Sequence, residues 1–181
     1  MLTKLLYKLS ANRPCRLIHS HGRRYLERYY LGQFLGMTFY LHRFVDGDGD
    51  HALHDHPWHY CAGLCLAGSY EEDRIKWFNP ETGFDCARKK VRPGSINLIR
   101  AATFHQILHT RPDTWTLFCH TRKFKQWGFL HKTKEPGDNH QTRIIPRYLS
   151  DNDNESHTNW WLTAPRGRDA QRAPLIGADR E

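Results

Sequence analysis

The sequence predicts an all-β fold, a sandwich or a barrel. Short runs rich in aromatic and β-branched residues recur about every 8–12 residues between turn signals. The segments between those runs carry almost no helical periodicity. The composition is that of a folded domain, with 39% hydrophobic and 13% aromatic residues in a chain of 181. That length suits one domain with a core of its own.

The elements follow in chain order. "MLTKLLYKLSANRP" places Leu2, Leu5, Leu6 and Leu9 at helical spacing and predicts a short helix docked on the domain. A helix lying on a membrane surface is the lesser reading. Lysines interrupt each apolar run there, so the segment is not read as a signal peptide. "RYLERYYLG" and "GMTFYLHRFV" read as strands. "DGDGD" (Asp46–Asp50) reads as a turn, too short for a calcium loop and lacking its distal glutamate. Further strands are expected in "YCAGLCLAGSYEE", "CARKKVR", "SINLI", "FHQILH", "TWTLFCH" and "QWGFLH", with turns at "FNPETGFD" and Pro93–Gly94. After about Pro146 the chain becomes polar, and "PRGRDAQRAPLIGADRE" offers little to bury. The expected organisation is a helical extension over 1–20, a β domain over 21–149 and a flexible tail over 150–181, pinned at most by Trp160 and Trp161. Removing residues from Ala164 onward is expected to leave folding intact.

The net charge is +8. The first thirty residues, "RKKVR" (Arg88–Arg92) and "TRKFKQWGFLHKTK" (Thr121–Lys134) carry most of it. Because these cations are spread over separate segments, they read as solvated faces, and nucleic acid is an unlikely partner. No apolar run approaches the ~20 residues of a membrane span, so no membrane partner is expected. Five cysteines, no CxxC pair and no export signal predict reduced thiols in a cytoplasm.

The chemistry concentrates in "HALHDHPWHYC". His54 and His56 stand at i and i+2, so on a strand both rings point to one face and can approach one ion. A third ligand must come from elsewhere, and His105 opens an apolar strand. His105, Ile107 and His109 share a parity, so an inward His105 would bring His109 inward too. His51 and His59 flank the pair as supports or solvated side chains, with His59 the better spare ligand. Asp50 and Asp55 are candidates to fix the rings, although Asp55 alternates away from its neighbours. Trp115, Leu117 and Cys119 share a face expected to line the barrel, and Cys65 is expected in the core.

This pattern resembles the cupin superfamily. A His-x-His pair, four residues, a ligand-like position, six residues and a glycine correspond to His54, His56, Cys61 and Gly68. The second cupin motif corresponds to Pro93–Gly94 followed by "INLIRAATFH" ending in His105. The resemblance spans roughly residues 25–130 and implies a cupin-type jelly-roll β-barrel with a short N-terminal helix and an irregular C-terminal tail. It implies His54, His56 and His105 as metal ligands. Cys61 stands where most cupins carry a glutamate, and in this "HDHPWHYC" is similar to cysteine dioxygenases, which bind iron through three histidines. Arg28 lies at about the position where those enzymes place a carboxylate-binding arginine. Cys61 is thereby a pocket thiol, a soft ligand or a small core residue.

The reading is a metal-dependent cupin, leaning to an enzyme: a mononuclear non-heme iron oxygenase with Cys61, Arg28 and His109 as its catalytic candidates. The metal is a divalent ion, Fe(II) favoured, with zinc or nickel as alternatives. The partners are a small anionic substrate, thiol-bearing or amino-acid-like and steered by Arg28 or Arg100, and dioxygen for an oxygenase. Homodimerisation is an expectation of the resemblance alone. The alternatives are a cupin isomerase, lyase or hydrolase, or a non-catalytic small-molecule-binding cupin.

Overall fold

The computed structural model describes residues 1–20, 22–45, 53–79, 83–134, 142–148 and 159–176. Helix α1 (Leu2–Ser10) is followed by strands β1 (Cys15–Ser20), β2 (Arg23–Phe34), β3 (Met37–Phe44), β4 (His54–Asp55), β5 (Tyr60–Ala67) and β6 (Tyr70–Asn79). Then come β7 (Gly83–Val91), β8 (Ile96–Arg100), β9 (His105–Thr110), β10 (Thr114–His120), β11 (Gly128–Lys134) and β12 (Thr142–Tyr148). A short 3-10 turn, Trp160–Leu162, opens the C-terminal segment. The expected turn at Asp46–Asp50 lies outside the described residues.

The strands form two six-stranded sheets, ordered β1-β2-β3-β10-β5-β8 and β12-β11-β4-β9-β6-β7. The pairings are nested: β3 with β10, β4 with β9, β5 with β8 and β6 with β7, all antiparallel. A long hairpin rolled so that successive pairs fall in alternate sheets is a jelly roll. Gly68 sits at φ +75° in the β5–β6 turn, where a Cβ would run into the backbone of Thr114. Only glycine suits both the conformation and the space.

Apolar side chains fill the space between the sheets. Leu26, Phe44, Cys65, Tyr70, Val91 and Ile107 form one cluster, and Tyr40, Trp58, Cys61, Ile99 and Phe118 another. A third layer covers the outer face of the first sheet. There Leu6 of α1 meets Cys15, Tyr29, Leu41 and Trp115. Trp115, Leu117 and Cys119 therefore do not line the barrel, as their hydrophobicity suggested. The inward residues of β10 are Thr116, Phe118 and His120, all buried. The sheet is covered on both faces here, so apolarity does not reveal which parity points in. Of the leucines in α1, Leu6 is buried while Leu2, Leu5 and Leu9 face outward.

The expectation of a flexible tail fails for residues 159–176. Trp161 stacks on Tyr30 at 4.3 Å, and Trp160 on Tyr40 at 6.1 Å. Further on, the backbone docks. Cys15 N donates to Pro165 O, Gly167 N to Arg13 O and Arg168 N to Ala11 O, each at 2.8 Å. Arg172 lies 3.8 Å over the ring of Tyr7 and donates to Tyr7 O and Ser10 Oγ. Arg43, 1% exposed, pairs with the fully buried Glu27 at 3.1 Å and also donates to Ala173 O and Pro174 O. Glu27 Oε1 in turn accepts from Ala173 N at 2.7 Å. Backbone groups and arginine side chains hold this segment, so a count of apolar residues undervalues it. Removing one partner of such a buried ion pair costs about 3–5 kcal/mol.

Candidate metal centre

Strand β4 is two residues long and both neighbours pin it. His54 lies opposite His105 on β9 and Phe129 on β11, and Asp55 lies opposite Gly128. Asp55 turns away from the barrel interior. Its carboxylate accepts from Gly128 N at 2.9 Å and from Lys125 Nζ. This bond anchors β4 from outside, so the alternate residues His54 and His56 both face in. His105 enters from the first position of β9, directly across from His54.

The three rings converge. Centroids lie 5.3 Å apart for His54–His56, 4.7 Å for His54–His105 and 4.9 Å for His56–His105. One ring nitrogen from each lies within 4.8 Å of the others, and all three residues are buried. His56 Nε2 and His105 Nε2 are 2.7 Å apart. Two imidazole nitrogens bound at ~2.1 Å and right angles to one ion stand ~3 Å apart, so the set fits a divalent cation. Burial, then the neighbouring histidines, holds His56 well below the ordinary imidazole value of 6.5. Burial likewise lowers His105, although Glu72 opposes it. Both rings are therefore neutral near pH 7, the form that ligates a metal.

Glu72 of β6 went unnoticed in the sequence. It is fully buried, and its Oε1 lies 3.5 Å from His105 Nδ1. Arg74 Nε and Asn97 Nδ2 donate to it. Burial alone would raise its pKa, but its interactions with His105 and with Arg74 outweigh this and bring it to about 2. A carboxylate behind a ligating histidine fixes the ring and raises its basicity. The available signal was alternation: Tyr70 and Glu72 share the inward face of β6.

The histidines open onto a cavity of about 100 Å³, also lined by Arg28, His42, Phe118 and Trp127. At ~30 Å³ per water, this admits only a small ligand. Arg28 and His42 are cross-strand partners, and Arg28 Nε donates to His42 Nε2 at 3.0 Å. His42 can accept that bond because burial, then Arg28 and His120, keeps it unprotonated. No carboxylate of the described residues hydrogen-bonds Arg28, whose guanidinium lies 5.2 Å over Tyr40.

The other candidates stand elsewhere. Cys61 is buried beneath Trp58 and Phe118 and is not among the cavity-lining residues. Burial, then Cys119, pushes its thiol up to about 12. His109 is exposed, against the parity reading. A register shift opposite Glu71 and Glu72 inserts one residue into β9 and turns His109 outward. His59 is exposed, stacked 3.8 Å from Phe124, and Arg100 is exposed. His51 and Asp50 lie outside the described residues.

The nested strand order and the inward histidines settle the architecture. The fold is a cupin-type jelly roll. No family model matches the chain, and no curated protein matches it in sequence. Similar solved structures include KdgF from Halomonas sp., 15% identical over 59% of this chain and 94% of that one, with a TM-score of 0.44. Another is a cupin superfamily protein from Desulfitobacterium hafniense DCB-2, 17% identical over 57% and 83%, TM-score 0.40. A third is Fe(II)-HppE with the alternative substrate (S)-1-HPP, 11% identical over 62% and 57%, TM-score 0.47. No helix of the described residues is long and apolar enough to cross a membrane.

Proposed function

We propose that this cupin is a mononuclear metal enzyme, an Fe(II)-dependent oxygenase of a small anionic substrate. The observation that carries the proposal is the convergence of three buried imidazoles, two with nitrogens 2.7 Å apart, on one side of a cavity. His54, His56 and His105 would hold the ion. Three protein ligands would leave room for a chelating substrate, and iron bound there would supply redox chemistry with dioxygen. Three neutral ligands leave the ion's charge unbalanced, which favours a substrate that brings negative charge.

Arg28 meets that requirement from across the cavity. His42 occupies its Nε, so the two terminal nitrogens are the donors left to bind a carboxylate or similar oxyanion. Phe118 and Trp127 give the cavity apolar walls, which strengthen the interactions of both charges. Glu72, 3.5 Å behind His105 Nδ1, favours the tautomer that presents Nε2 inward. The burial of Cys61 outside the cavity gives no support to a specifically thiol-directed chemistry, so the substrate is defined by charge and size.

The test is metal analysis of purified protein followed by oxygen uptake with small anionic chelators. Wild type is expected to carry one iron per chain and His54→Ala none. Arg28→Met is expected to keep the metal and lose at least tenfold in substrate affinity, the order of a charge-assisted hydrogen bond. Wild-type protein without metal after iron reconstitution, or His54→Ala retaining it, refutes the metal centre. Zinc retained with no oxygen uptake refutes the oxygenase and leaves the ion to activate water.

A further inference from the structure

Helix α1 is docked along one side only. Leu6 and Ser10 are buried against the domain, and Tyr7 lies under the guanidinium of Arg172. At about 100° per residue, Leu2, Leu5 and Leu9 form a stripe beside that docked side. The stripe faces out, its leucines 47%, 51% and 59% exposed. Lys4, Lys8 and Arg13 are exposed as well, and no acidic residue precedes Glu27.

The C-terminal segment adds cations from the far end of the chain. Arg166 Nη1 donates to Asn12 O at 2.9 Å and Arg168 Nη1 to Asn12 Oδ1 at 2.8 Å, with both arginines exposed. Two guanidinium groups thus stand just past the end of α1. Among the described residues, the exposed Asp169 lies 3.8 Å from Arg168. An apolar stripe bordered by cations matches an interfacial helix.

We propose that α1, with Arg166 and Arg168, seats this protein reversibly on an anionic lipid surface. The three leucines enter the boundary of the acyl chains while the cations meet the headgroups. The expectation of no membrane partner then holds for spanning segments alone. A second copy of the chain is a poor occupant, because it would bring two sets of like charges together. Nucleic acid would satisfy the cations and leave the leucines in water. The helix lies on the outer face of the first sheet and the cavity between the sheets, so seating the protein leaves the candidate metal centre clear.

The experiment is co-sedimentation of the full chain with phosphatidylcholine vesicles, with and without phosphatidylglycerol. Affinity is expected to be at least ~tenfold higher on the anionic vesicles and to fall with added salt. Leu5→Glu and Leu9→Glu should abolish binding without changing the melting temperature, since both side chains are exposed. Arg166→Gln with Arg168→Gln should weaken it about tenfold. Absence of binding to anionic vesicles overturns the proposal. So does binding that survives both leucine substitutions, or binding to duplex DNA in place of vesicles.

Discussion

Gly167 decides whether the C-terminal segment is part of the folded domain. Its N–H donates to Arg13 O at 2.8 Å, and the residue is buried between α1 and β2. A Cβ placed there would meet Tyr29 Cε1 at 3.1 Å and Ala11 Cα at 3.2 Å, with the carbonyl oxygen of Ser10 closer still. Two of these neighbours are backbone and Tyr29 is fully buried, so none of them yields without moving α1 or the segment. Gly167→Ala therefore overpacks a tight contact, at about 1–3 kcal/mol. The alanine restricts the unfolded chain and returns about 0.4–1 kcal/mol. The central values leave a net loss of about 1.3 kcal/mol, or about 3–5 °C in melting temperature for a chain of this size. Thermal denaturation followed by circular dichroism measures it. An unchanged or raised melting temperature would refute the docking, because a loose segment has nothing for a methyl group to strike. Removal of residues from Ala164 onward should cost more, since it strips Glu27 and Arg43 of their partners in that segment.

Two further outcomes follow from the interior. Glu72→Gln keeps the volume but removes the charge behind His105, and should weaken metal affinity about 10–100-fold in competition with a chelator; unaltered affinity would show that the carboxylate serves packing alone. His120 is stacked on Trp58 at 3.9 Å, and burial lowers its pKa from 6.5 to about 4 despite the hydrogen bond to Thr121 O. The folded protein holds this ring neutral while the unfolded chain protonates it near 6.5. Stability is therefore full above pH 6.5 and declines as the pH falls towards 4. Urea unfolding of metal-free protein should show that decline, and His120→Gln should make it shallower, with His42, His56 and His105 supplying the remainder; an equal slope in both proteins contradicts the assignment.

The barrel and its histidine triad were legible because each rests on local periodicity. Alternation put His54 and His56 on one face, and the Pro93–Gly94 turn followed by an apolar strand brought His105 to meet them. What was missed depended on partners distant in the chain. The outward turn of His109 comes from a bulge set by pairing with β6, which parity along one strand does not register. Trp115 was assigned to the wrong face because α1 makes the outer side of its sheet as apolar as the inner. Glu72 went unnoticed because its partners, His105, Arg74 and Asn97, are apparent only once β6, β8 and β9 are placed. The C-terminal segment was undervalued because backbone hydrogen bonds and arginine stacking leave no hydrophobic pattern.

The long-range closure through Ala173 bears on how the protein is made. A chain emerging from the ribosome contains Glu27 and Arg43 long before Ala173, which lies 146 and 130 residues further on. Until that segment arrives, Tyr29 and Trp115 lack part of their roof, and α1 lacks the arginine that lies over Tyr7. The last strand, β12, ends at Tyr148, so both sheets are complete in sequence while the outer layer is still open. Nascent chains stalled within that window would display the apolar underside of the helix to chaperones. Synthesis of the last docking contacts therefore comes after the barrel's own strands and completes the outer layer.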